Sequence, residues 1–236
     1  MPQEQCLVEC PDPSVVAENA APAPRPRIGA PQVSVEHYGP AYLNLLRMIT
    51  YWHQVATVRR CGGQRVLEIG IGMGLTSFIL DKWGYDLETL DFDPALHPTR
   101  VGDVREIPYP ANSFDTILIA EVLEHIPYDD FTGALRELYR VTKSHVVVTL
   151  PCPLVGFSLG INVCGVEPRF LSLGTRLWTK PVFDGQHYWE LGRRGYSQGR
   201  IREAIRSVGF EITEAYRPSL SVYSYCFVLS KKPSSG

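Results

Sequence analysis

Gly70, Gly72 and Gly74 alternate directly after the run Val66-Leu67-Glu68-Ile69, and Asp91 follows 21 positions beyond Gly70. Glycines at this spacing let the backbone turn tightly and approach a ligand closely. A carboxylate at the end of the following strand can accept both hydroxyls of a ribose. Together they point to a bound nucleoside. A dinucleotide site would read G-x-G-x-x-G and aim a helix N-terminus at a pyrophosphate. Here the third glycine comes one residue early, and no P-loop lysine follows. A plain strand–turn–helix connection would account for the glycines alone.

A second concentration of chemistry lies in Asp184-Gly185-Gln186-His187-Tyr188-Trp189-Glu190, followed by Gly195-Tyr196-Ser197. Ionisable and aromatic hydrogen-bonding groups crowd a segment with no periodic pattern, and loops over strand ends often carry function. His187 is the first choice for a base, with Tyr188, Glu190 and Tyr196 as substrate contacts. A packed aromatic elbow before the last helix is the competing reading. Tyr38, Tyr42 and Tyr51 are candidates for a lid, with Tyr42 touching substrate. No His, Cys, Asp or Glu cluster has the spacing of metal ligands, so no metal is expected.

These groups need a framework. Residues 1–36, rich in proline and alanine, read as a disordered or extended tail, and 37–236 as one domain. Apolar residues at Tyr42, Leu45, Ile49, Trp52 and Ala56 predict an amphipathic helix over 42–58, its face toward the sheet, within a lid region 37–60. Strands follow at 65–69 and 86–91, around a helix with Leu75, Phe78, Ile79 and Trp83 on one face. Only nine residues, with Pro94 and Pro98 among them, precede a short strand at 101–104, so one crossover helix is reduced or absent. Phe114 to Ala120 reads as a buried parallel strand. A helix opened by Pro127 then leads to a strand at 145–150. Residues 151–196 read as irregular, a substrate-facing insertion spanning 151–197. Ser197 caps a helix closed by Gly209, and strands at 210–216 and 222–229 make an antiparallel end. The fold class is α/β: a mostly parallel sheet of about seven strands, helices on both faces.

In this order the blocks resemble the class I S-adenosylmethionine-dependent methyltransferases, in their type 11 branch. Glu68 with the G-x-G-x-G turn is similar to their first motif. Leu90-Asp91-Phe92-Asp93-Pro94 resembles the ribose-binding strand end, and Gly102-Asp103-Val104 the element near the adenine. Ile107-Pro108-Tyr109 with Ser113-Phe114-Asp115, Glu121-Val122-Leu123-Glu124-His125-Ile126 and Leu135 to Lys143 match three further elements. The resemblance spans about Tyr38 to Lys232. It implies a Rossmann-like fold and S-adenosyl-L-methionine as cofactor, with S-adenosylhomocysteine as product. Its cofactor contacts map to Glu68, Gly70, Ile71, Gly72, Gly74, Asp91, Phe92, Asp103, Val104, Glu121 and Val122. The acidic residues suit a cationic sulfonium better than a phosphate. Asp103 could instead cap a turn, and Asp115 reads as structural. His125 lies past the fourth strand, where it is a candidate base or a structural hydrogen-bonding group.

Composition bounds the reading further. The 236 residues are 44% hydrophobic with a net charge of -2, which describes a globular chain. No apolar run reaches the roughly 18 residues of a membrane span. The six cysteines are scattered, fitting reduced thiols and a cytoplasmic setting. Residues 1–150 hold 12 Lys/Arg against 19 Asp/Glu, while 151–236 hold 11 against 6. The basic C-terminal third either faces an anionic acceptor or is a solvated surface. Pro151-Cys152-Pro153 invites a thiol nucleophile, but its partner P-C element is missing after the fourth strand, so Cys152 reads as structural. Nucleic acid is disfavoured as a partner. The expected activity is methyl transfer to oxygen or nitrogen of a small molecule or glycan. A cofactor-binding regulator without transferase activity is the alternative.

Overall fold

The structure, a computed structural model, describes residues 32–161, 164, 169–176, 179–181, 183, 185–221 and 223–232. The proline-rich tail before Gln32, and Asp184, lie outside the described residues. In chain order the longer helices are α1 (Leu45–Cys61), α2 (Leu75–Lys82), α3 (Tyr128–Val141) and α4 (Gln198–Ser207). The strands are β1 (Arg65–Ile69), β2 (Asp86–Asp91), β3 (Arg100–Val101), β4 (Phe114–Ala120), β5 (Thr142–Pro151), β6 (Leu154–Ile161), β7 (Arg169–Arg176), β8 (Phe210–Tyr216) and β9 (Ser224–Lys231).

Seven strands form one sheet in the order β3-β2-β1-β4-β5-β9-β8. Pairing from β3 through β5 is parallel, and β9 runs antiparallel between β5 and β8. This is the Rossmann-like α/β arrangement with an antiparallel end. Alternation along each strand divides the core. Leu67, Ile69, Ile117, Ile119, Val146 and Val148 pack with Phe131, Leu135 and Leu138 of α3 and Ile201 and Ile205 of α4. Val66, Leu118 and Val147 face the other way, against Val55 and Val58 of α1 and Leu80 of α2. Each such side chain, fully buried, contributes about 1.5–3 kcal/mol of apolar transfer free energy. Ser197 caps α4 by accepting the Arg200 N–H at 3.2 Å, as its position before the periodic run predicts.

The connection after β2 is a single 3-10 turn, Pro94–Leu96. Because β1 sits beside β4, the chain reverses direction across the sheet between them, opening a crevice at their carboxyl ends.

Four expectations need correction. The helix expected at 42–58 runs from Leu45 to Cys61, and only its second half seats on the sheet: Gln54, Val55, Thr57 and Val58 are buried. Leu45 and Trp52, expected on the inward face, are 74% and 56% exposed. The N-terminal half of α1 overhangs the carboxyl edge of the sheet, so its inward side meets a cavity instead of a core. The strand expected at 101–104 ends at Val101, because Asp103 accepts the Arg105 backbone N–H at 2.8 Å and turns the chain. β5 is longer at both ends than 145–150, since it starts directly after α3 and pairs with β9 as far as Pro151. Within 151–196, read as irregular, β6 and β7 form a separate antiparallel hairpin. Its Val155, Phe157, Leu159, Ile161 and Leu173 are exposed.

Candidate active site

At the crevice β1 runs into the glycine turn. Gly70 sits at φ 83°, and a side chain there would collide with Val122. Glycine is needed at this close approach of two loops. The Gly70 N–H donates to Leu90 O at 2.9 Å, holding the turn against the end of β2. Asp91 then ties both sides together. Its Oδ2 accepts the Ile71 N–H at 3.0 Å, and its Oδ1 accepts the Asp93 N–H at 2.9 Å. Gly74, at φ 74°, supplies the left-handed residue that starts α2.

Above this turn lies a cavity of about 490 Å³. Among the residues expected to hold cofactor, it is lined by Glu68, Gly70, Ile71, Gly72, Asp91, Phe92, Asp103, Val104, Glu121 and Val122. Gly74 does not line it; its part is to shape the turn. Asp103 accepts three Arg105 donors, at 2.6 to 2.9 Å, so it caps a turn and also borders the cavity. Asp115 is structural: it accepts the N–H groups of Gln64 and Arg65, each at 2.9 Å.

The acids give the cavity its character. Glu68 is buried and accepts the Ser77 hydroxyl, and burial pushes its pKa up to about 8. Burial raises Asp91 as well, opposed by its backbone N–H donors. Glu121, at the end of β4, is pushed to about 7 by burial. It also sits at φ 54°, a left-handed conformation uncommon for a non-glycine residue, at the point where β4 ends. Carboxyls whose pKa values are raised by burial complement a ligand that brings its own positive charge. They suit phosphate poorly. The cavity therefore has the acidic, glycine-lined character that suits a nucleoside with a cationic end.

Across the cavity, a 3-10 turn, Leu123–His125, faces the loop Gln186–Glu190. The two segments are joined by backbone: the Tyr188 N–H donates to Glu124 O at 2.8 Å. Trp189, fully buried, donates its indole N–H to Ile126 O at 3.1 Å and fixes the loop in the core. His125 and His187 both line the cavity, their rings 5.0 Å apart. Glu124 lies beside them, wholly buried, with neither carboxylate oxygen hydrogen-bonded among the described residues. One ligand atom from each of Glu124, His125 and His187 comes within 4.8 Å of the others.

Three of the expected substrate contacts stand outside the cavity wall. Glu190 accepts from His187 at 3.2 Å and from Arg193 at 2.8 Å, so it orients His187. The Tyr188 ring packs on Phe183, with centroids 4.4 Å apart. Tyr196 packs against Tyr128 and Trp189 at 5.0 and 5.9 Å. The segment is thus an aromatic elbow that also delivers His187. Cys152 is buried beneath Arg217, whose guanidinium donates to Cys152 O at 2.9 Å, and is not part of the cavity.

Tyr38, Tyr42 and Tyr51 roof the cavity from the other end, with Arg47 lying 3.6 Å over the Tyr42 ring. Two lining residues carried no recognisable signal. Arg47 sits on a helix face that the apolar pattern had turned elsewhere. Gln32, from the stretch read as tail, bonds His125 through both amide atoms: its Nε2 donates to His125 O at 3.0 Å, and its Oε1 lies 2.8 Å from Nδ1. That contact spans 93 positions, beyond the reach of any local pattern.

The model of the methyltransferase domain family matches residues 67–150, from β1 to the end of β5. A ubiquinone biosynthesis O-methyltransferase of Azorhizobium caulinodans is 26% identical over 166 residues, 64% of this chain and 66% of that protein. A demethylmenaquinone methyltransferase of Corynebacterium efficiens is 35% identical over 89 residues, 34% of this chain and 38% of its own length. The matches thus span less than two thirds of those relatives. The fold is shared with magnesium protoporphyrin IX methyltransferase from Synechocystis, solved with S-adenosylhomocysteine, at a TM-score of 0.54, 15% identity, and 83% and 91% of the two chains covered. A Burkholderia thailandensis 1,6-didemethyltoxoflavin-N1-methyltransferase gives 0.56, 13%, 84% and 85%. Residues 67–150, which build the glycine turn and Asp91, thus match the methyltransferase domain family, and the chain shares the fold of solved S-adenosylmethionine-dependent methyltransferases.

Proposed function

We propose that the chain transfers a methyl group from S-adenosylmethionine to an oxygen or nitrogen of a small organic acceptor. The observation that carries this reading is the convergence of Asp91, the Gly70–Gly72 turn and the buried acids Glu68 and Glu121, both raised in pKa by burial, on one cavity. When bound, the cofactor supplies a methyl group already activated on a sulfonium. The chain's own work is then to align the acceptor, exclude water and manage a proton. Asp91 holds the ribose hydroxyls, and Glu68 and Glu121 ionise against the positive end. Tyr38, Tyr42 and Tyr51 close over the ligand and bring flat apolar surface to the acceptor.

The acceptor's proton is lost beside the cluster of Glu124, His125 and His187. The aromatic roof favours a flat acceptor such as a phenol, and the name of the Azorhizobium relative makes quinol precursors the first compounds to assay. A glycan acceptor is the less favoured form of the same reading.

The test has two arms. S-adenosylhomocysteine should raise the melting temperature, and more than NAD does, because a ligand that binds only the native state stabilises it by mass action. Formation of S-adenosylhomocysteine from S-adenosylmethionine with a panel of phenols and amines should then identify the acceptor. Binding with no turnover on any acceptor would favour a regulator over an enzyme. His187→Ala should lower turnover while the S-adenosylhomocysteine shift is retained. A variant that loses that shift would remove His187 from the proton-handling group.

A further inference from the structure

We propose that Glu124, His125 and His187 form a binding site for one divalent first-row transition cation on the acceptor side of the cavity. That this is the acceptor side of the cavity rests on the functional reading above; the cation site itself does not.

The donor atoms are already gathered. One ligand atom from each residue lies within 4.8 Å of the other two, a spacing that a cation with bonds of about 2.0–2.2 Å can bridge with small side-chain adjustment. Two imidazoles and one carboxylate, with positions left open, select first-row transition cations over magnesium or calcium.

Both histidines are prepared as ligands. His125 Nδ1 lies 3.1 Å from Gln186 O, a carbonyl that can only accept, and 2.8 Å from Gln32 Oε1. Its Nδ1 must therefore carry the hydrogen, so Nε2 is the ring nitrogen with the lone pair that a metal would take. His187 Nδ1 lies 3.2 Å from Glu190 Oε1, and Glu190 is held in turn by Arg193 at 2.8 Å. A carboxylate or carbonyl behind the imidazole is the support that metal-bound histidines ordinarily have.

Glu124 supplies the independent observation. Its side chain is 0% exposed, and neither oxygen has a hydrogen-bond partner among the described residues. An ionised carboxylate so placed carries a large desolvation cost, and a protonated one would need an acceptor for its O–H. A cation on Glu124 meets that deficit. His125 Nε2 already lies 3.9 Å from Glu124 Oε1. Backbone locks the geometry, since Tyr188, next to His187, donates to the Glu124 carbonyl at 2.8 Å.

All three residues border the cavity, which has room for water or an acceptor oxygen at the remaining positions. A hydroxyl ligating there gives its proton to water more readily, and the O–H electron pair stays on the oxygen.

The test uses untagged full-length protein stripped with a chelator and titrated with Co(II), Zn(II) and Mg(II). One equivalent of Co(II) should bind with visible d–d absorption, Zn(II) should displace it, and Mg(II) should not. His187→Ala and Glu124→Gln should each weaken Co(II) binding by at least about tenfold to a hundredfold, the range seen even for groups that only support a ligand. S-adenosylhomocysteine should still raise the melting temperature of His187→Ala, which shows that the variant is folded and keeps the two readings separate. Failure of wild-type protein to take up Co(II), or equal uptake by His187→Ala, would overturn the cation site whatever the methyl-transfer assay gives.

Discussion

On the proposed reading Asp91 serves both the fold of the turn and the ligand. Its oxygens receive the backbone N–H groups of Ile71 and Asp93, so it shapes the glycine turn before any ligand arrives. The same carboxylate is assigned the ribose hydroxyls. Charged hydrogen bonds of this kind contribute about 1.5–3 kcal/mol each, so Asp91→Ala should weaken S-adenosylhomocysteine binding by roughly 10- to 100-fold or more in calorimetry. Unchanged affinity would remove Asp91 from the ribose site. Glu68 offers a test without ligand. Its pKa is raised from 4.5 to about 8, so its folded form prefers the proton. The stability linked to that proton is complete below the unfolded value and is lost as pH rises toward 8. Glu68→Gln has nothing to lose over that range. Relative to wild type, the variant should therefore gain stability with increasing pH, at up to about 1.4 kcal/mol per pH unit between 4.5 and 8, and level off above. A flat difference in urea unfolding across this range would show that Glu68 is ionised in the free protein.

At the scale of elements, the loop Gln186–Glu190 depends on one indole. Trp189 is fully buried among Tyr128, Phe131 and Tyr196, and its N–H reaches Ile126 O. Removing it opens a large void, so Trp189→Ala should cost about 3–5 kcal/mol. Turnover should fall by more than that of an equally destabilised variant elsewhere in the core, because His187 loses its support. Equal losses in the two variants would separate the loop from catalysis. The elements the sequence made legible are those with a strong period and a clear stop. β1, β2, β4, α4 and β8 keep their expected places, since apolar runs end in Gly70, Asp91, Gly209 and similar signals. β6 had its signal too: Val155, Phe157, Leu159 and Ile161 alternate with Gly156, Ser158 and Gly160. Glycine and proline in the region obscured a two-residue period. α1 was misjudged for another reason. Apolar spacing names a face, but whether that face meets a sheet, a cavity or solvent depends on where the sheet ends. Its lining Arg47 and the distant Gln32 follow from that geometry, which no local pattern encodes.

Taken as a whole, the molecule divides its apolar surface unevenly. The two faces of the seven-stranded sheet are covered, whereas the β6–β7 hairpin lies outside it with an apolar row 46% to 70% exposed at Phe157, Leu159, Ile161, Leu173 and Val155. Side chains already in solvent add little on folding. Phe157→Ser and Leu159→Ser should therefore shift the unfolding free energy by no more than about 0.5 kcal/mol. A loss above about 2 kcal/mol would place the hairpin in the core. Among the described residues, no helix is long and apolar enough to cross a membrane.

The position of β9 also sets a schedule for synthesis. β5 pairs on one side with β4, made shortly before it, and on the other with β9, whose residues begin 73 positions after Pro151. While the intervening chain emerges, the ten-residue edge of β5, with Val146, Val147, Val148 and Leu150, has no neighbour on that side. Such an open apolar edge can pair with another nascent chain. A ribosome-bound chain stalled before Ser224 should therefore depend on chaperones, and one carried past Lys231 should become independent of them.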